Sequence, residues 1–62
     1  MTPEEILKKA IELEKEAIQT YNEMKKDADP ETSELLDYLI SQEQEHIRLL
    51  SDRLKAVKLM RK

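Results

Sequence analysis

The chain reads as all-α: an antiparallel two-helix hairpin that dimerises into a four-helix bundle. Three observations predict this. Apolar residues recur at three- and four-residue spacing through two long segments. A single break, Asp27-Ala28-Asp29-Pro30, separates them. Finally, 40% of the residues are charged and 39% hydrophobic, with no Gly, Phe or Trp, which suits amphipathic helices better than strands or disorder. The 62 residues make one domain, 1–62, too short to bury a comfortable core alone.

With no cysteine, disulfides and thiolate metal sites are excluded. The remaining supports are self-association and a metal held by oxygen and nitrogen. The net charge of −3, with signs mixed along the chain, argues against nucleic acid. No apolar run approaches the ~18 residues of a membrane span, and no signal-peptide core opens the chain. The expectation is a soluble cytoplasmic protein.

The first helix is predicted over about 3–28. Thr2 suits the N-cap, Pro3 the first helical position, and Glu5 completes a capping box. Leu7, Ala10, Glu14, Ala17, Tyr21, Met24 and Ala28 form a heptad ladder, widened by Ile11 and Ile18. Glu14 is the wrong residue for a core. The second helix is predicted over about 30–60, with Pro30 at its first position and Asp29 as cap, or Thr32 or Ser33 instead. Its ladder runs Leu36, Leu39, Glu43, His46, Leu50, Val57. The short connection makes the helices antiparallel neighbours. Ile6, Leu13, Leu35, Tyr38 and Leu49 form a second apolar set off these ladders. The main stripe predicts a dimer, and the second set predicts further packing of dimers.

Glu43-Gln44-Glu45-His46 holds the chemistry. An E-x-x-H spacing puts Glu43 and His46 on one helical face about a turn apart. A bare carboxylate on an apolar stripe is costly, and a metal ion is one of few partners that offset the cost. Glu14 lies 15 residues before Asp29 and Glu43 lies 14 after it. Both therefore stand roughly 21–22 Å from the turn, on facing stripes. Two hairpins related by a two-fold axis would pool four carboxylates and two imidazoles, the ligand set of di-iron carboxylate bundles. Four carboxylates balance two divalent ions. Oxygen and nitrogen donors suit iron, with Mn, Zn or Ca as substitutes. Tyr21, two turns from Glu14, is a candidate to hydrogen-bond a ligand carboxylate.

The pattern Glu14-x-x-Ala17-x-x-x-Tyr21, followed by Glu43-x-x-His46, resembles the ferritin-like superfamily over about residues 6–57. The likeness is to its rubrerythrin-like half, and most closely to the encapsulated ferritins. That resemblance implies a ferroxidase whose di-iron site, two Fe per dimer, is built across a dimer interface from Glu14, Glu43 and His46. It implies Tyr21 beside the ligands and Glu16 on the route by which iron reaches the site, although Leu13 replaces a neighbouring family carboxylate. It also implies a ring-like oligomer of dimers and an encapsulin shell as partner, placing the protein inside an encapsulin nanocompartment. Lys58-Leu59-Met60-Arg61-Lys62 continues the helical pattern and does not look like the shell-docking tail. The alternatives are a rubrerythrin-like di-iron peroxidase or O₂-scavenging module, and a non-catalytic helical oligomerisation module with a polar pair in its core. The cysteine-rich electron-transfer site of rubrerythrin proper has no counterpart in these 62 residues.

Overall fold

A computed structural model describes residues 1–61. Two helices, α1 (Pro3–Lys25) and α2 (Pro30–Met60), pack side by side as a hairpin. Among the described residues there is no strand, and no helix is long and apolar enough to cross a membrane.

Local chemistry sets each end. The Thr2 side chain accepts from the Glu5 N–H and the Glu5 carboxylate accepts from the Thr2 N–H, each at 3.1 Å. This closes the predicted capping box. Asp29, rather than Thr32 or Ser33, caps α2 by accepting from the Thr32 N–H at 3.3 Å. α1 stops at Lys25, short of the expected 28. The Lys26, Asp27 and Ala28 N–H groups bond three residues back, to Glu23, Met24 and Lys25, so the last turn tightens and leaves the α pattern. The extended Asp29 that Pro30 requires then follows. At the far end, Arg61 is extended rather than helical, and its guanidinium meets Glu4 at 2.8 Å. The helical pattern expected at Lys62 lies outside the described residues.

The hairpin is a rod of 51 × 17 × 11 Å, one helix thick in its thinnest direction. A single layer cannot enclose a core. Leu36, at 6% exposure, is the one buried side chain among the described residues. Leu7, Ile11, Ile18, Ile40, Ile47 and Leu54 are half-buried between the helices. Two members of the expected ladders leave this stripe. Met24 is exposed, and so is His46. A straight helix turns every 3.6 residues, so a strict heptad drifts round its surface by ~20° per repeat.

The main stripe is therefore used within the hairpin. The second apolar set is what lies open. Ile6, Leu13, Met24, Leu35, Leu49 and Met60 remain between 50 and 64% exposed. At about 100° per residue, the first three fall on one side of α1 and the last three on one side of α2. Because the helices are antiparallel, those two sides form one broad face.

Candidate metal centre

Glu14 sits at the midpoint of α1, and Glu43 and His46 straddle the midpoint of α2. One donor atom from each lies within 4.8 Å of the other two. The His46 Nδ1 stands 3.3 Å from Glu14 Oε2 and 3.9 Å from Glu43 Oε2.

Side-chain direction explains how three positions meet. Counted along the backbone, His46 lies 17 residues from Asp29 and Glu14 lies 15, so the imidazole starts ~3 Å further from the turn. Helical side chains lean toward the N-terminus of their own helix. On α2 that is toward the turn, and on α1 it is away from it. His46 and Glu14 therefore lean toward each other, and the imidazole closes on Glu14 across the groove. The level comparison of backbone positions misses this tilt.

The expected burial is corrected here. Glu14 and Glu43 are 26% and 18% exposed at the side chain, but His46 is 49% exposed. The imidazole is not in a core of one hairpin. It lies at the rim of the groove, on the side that carries Leu35 and Leu49. Its half-bare ring faces outward with the open apolar surface.

Tyr21 is half-buried on α1, seven residues closer to the turn than Glu14. Among the described residues no hydrogen bond joins it to the trio. Glu16 is exposed and lies about 160° round α1 from Glu14, away from the trio. Two cross-helix ion pairs escaped sequence reasoning: Lys25–Asp37 near the turn and Glu4–Arg61 at the open end. Counted from Asp29 the partners are offset by four and seven residues, so level-matching along the sequence does not pair them.

The chain matches the family model described as Rubrerythrin over residues 5–62. It belongs to the Rubrerythrin family, within the ferritin-like superfamily. A relative from Archaeoglobus fulgidus, described as an uncharacterized protein, is 71% identical over 62 residues, spanning 100% of this chain and 98% of that one. No solved structure matches.

The donor set of this Rubrerythrin-family hairpin fits the iron its family implies. Oxygen and imidazole donors without sulfur suit redox-active first-row ions. Such ions hold ligands at about 2.0–2.2 Å, so donors of one ion lie up to ~4.4 Å apart. A 4.8 Å cluster of three donors matches that scale. The half-exposed imidazole lies on the uncovered face.

Proposed function

We propose that the protein is a ferroxidase of the encapsulated-ferritin type, with a di-iron site that two hairpins build together. The observation that carries this is the Glu14–Glu43–His46 trio within 4.8 Å, open on one side, in a Rubrerythrin-family chain. A second copy laid on the open face adds three more donors and covers the exposed apolar side chains. The pair then presents four carboxylates and two imidazoles to Fe(II).

Iron is the substrate in this reading. Two Fe(II) each give one electron to O₂, which takes two protons from solvent and leaves as H₂O₂, and the iron leaves as Fe(III). The chain's residues supply placement and charge. Four glutamates offset the charge of two divalent ions, and the flexible carboxylates can follow the change in ionic size on oxidation. Tyr21, two turns from Glu14 on the same ladder, would fix that carboxylate's orientation by hydrogen bond once the bundle closes. Glu16, on the solvent face, is a collecting point for cations outside the site. Further packing of dimers into a ring, and delivery of Fe(III) to an encapsulin shell, complete this reading.

A second reading is favoured by the family match itself. A rubrerythrin-like site reduces H₂O₂ to two waters with two electrons from an external donor and two protons from solvent. Iron would then be resident, supplying one-electron redox chemistry, while the same residues hold it.

Anaerobic Fe(II) titration followed by air tests both. The ferroxidase reading expects one Fe per chain, a dimer or larger mass, and O₂ consumption that stops when Fe(II) is exhausted. Peroxide turnover with a supplied reductant, and little O₂ consumption, would favour the second reading. A helical protein with no affinity for Fe(II) would sink both.

A further inference from the structure

We infer that Gln42 is a positioning residue for His46: its side-chain carbonyl accepts the Nε2–H of the imidazole when Nδ1 holds a metal ion. This rests on the metal-site reading above and adds to it a residue that touches no ion.

The proton on the ring decides which nitrogen can bind. A carboxylate only accepts, so the 3.3 Å contact between His46 Nδ1 and Glu14 Oε2 needs a proton on Nδ1. A metal ion needs the lone pair of that same nitrogen. Neutral imidazole has one N–H, so an ion held at Nδ1 leaves the proton on Nε2. The proton that joins His46 to Glu14 therefore stands in the ion's place, and metal binding moves the N–H to the other side of the ring.

Nε2 then needs an acceptor. Ligating histidines almost always donate their second N–H, and the group that accepts it fixes ring orientation and tautomer. In the hairpin alone the ring is 49% exposed, and water can serve. A second copy laid on the open face excludes that water, and an N–H left unpaired there is costly.

Gln42 is the acceptor the helix offers. It lies one turn before His46 on α2 and about 40° round the helix, toward the open face. The imidazole leans toward the N-terminus of α2, and so over this turn. Gln42 is exposed, and among the described residues no hydrogen bond engages its amide. The competitors fall away. Glu45 lies about 100° further round α2, and Arg48 Nε donates to both of its carboxylate oxygens, at 3.1 and 3.2 Å. On the open side of α1 the residues nearest in level are Ala10, Leu13 and Ala17, none with a side-chain acceptor. An amide also suits the place better than another carboxylate. It accepts a proton without adding negative charge to a site whose glutamates already balance the ions.

The chain has a single histidine, so ¹⁵N labelling of histidine reports His46 alone. Zn(II) is the probe, read by NMR and by calorimetric titration in wild type, Gln42→Leu and Gln42→Glu, the last of which keeps an acceptor. Gln42 is exposed and unbonded, so both variants should keep wild-type helicity. Zn(II) should shift the wild-type Nδ1 resonance and leave a slowly exchanging Nε2–H proton. Gln42→Leu should lose that proton signal and bind Zn(II) roughly 10- to 100-fold more weakly, and Gln42→Glu should keep both signal and affinity. Loss of the signal in both variants or in neither overturns the assignment, as does a loaded wild type whose Nε2–H exchanges freely with water. Those outcomes leave the trio standing. A wild-type Nδ1 that Zn(II) does not shift overturns the trio as a metal site, and Gln42's role with it.

Discussion

Leu36 and Glu43 lie on the same side of α2, two turns apart, and settle the same helix contact differently. At Leu36 the helices meet through hydrocarbon, and the side chain is 6% exposed. At Glu43 they meet through two carboxylates and an imidazole, set between the half-buried Ile40 and Ile47. The first contact stabilises the hairpin as it stands. The second brings carboxylates together, which favours the fold only once something positive joins them. Stability and chemistry are thus separated along one stripe by about 10 Å.

The sharpest way to break this comparison is to make the second site like the first. Glu43→Leu should weaken Fe(II) binding by more than about 100-fold, since loss of a mere supporting contact already costs 10–100-fold. The same change should leave the metal-free melting temperature equal or higher, because apolar replacements of buried charge are often neutral or stabilising. Calorimetric Fe(II) titration and thermal circular dichroism read the two effects separately. A fall in both would mean Glu43 stabilises the hairpin itself. His46→Ala should likewise abolish paired binding while leaving a helical protein.

Leu36→Ala is the reverse experiment. A buried leucine truncated to alanine costs about 2–4 kcal/mol, which urea unfolding would show as a lower midpoint. Fe(II) stoichiometry under folding conditions should stay the same. Lost stoichiometry in a fully helical variant would tie the two regions together.

Smaller effects belong to the caps. Asp29→Ala should lower the melting temperature modestly by removing the N-cap, with metal binding unchanged. The Asp29 carboxyl is held below its ordinary range first by its side-chain hydrogen bond with Thr32, and Glu5 by its backbone and side-chain hydrogen bonds to Thr2. A depressed folded pKa gives stability above the unfolded value that disappears as pH falls through the folded one. Helicity should therefore decline in melts taken from about pH 4 downward. Asp29→Asn, which keeps an acceptor but cannot titrate, should flatten part of that decline.

Much of the hairpin was legible because its signals are local. Thr2-Pro3-Glu4-Glu5 and Asp29-Pro30 act within four residues, and each cap forms where its sequence places it. Glu14 and the E-x-x-H pair were legible as misfits on apolar ladders. The rest depends on geometry that spacing does not encode. His46 leaves the stripe because a straight helix outruns the heptad, yet reaches Glu14 because antiparallel helices lean their side chains toward each other. α1 ends early because Lys26, Asp27 and Ala28 prefer three-residue hydrogen bonds ahead of an extended Asp29. Which apolar set faces the other helix could be decided only once both helices were straight and side by side.

The trio has one more consequence, for alignment. A stripe of leucines and isoleucines repeats every seven residues, so sliding α2 along α1 by a heptad would replace one greasy contact with another at small loss. Three donors do not repeat. A slip of a single turn, ~5.4 Å, would leave the 3.3 Å contact between His46 and Glu14 unmade. As with a lone polar residue in a coiled coil, such a cluster fixes register at a cost in stability. The ion that occupies it would act as a dowel, holding two slippery surfaces in the one alignment where the chemistry works.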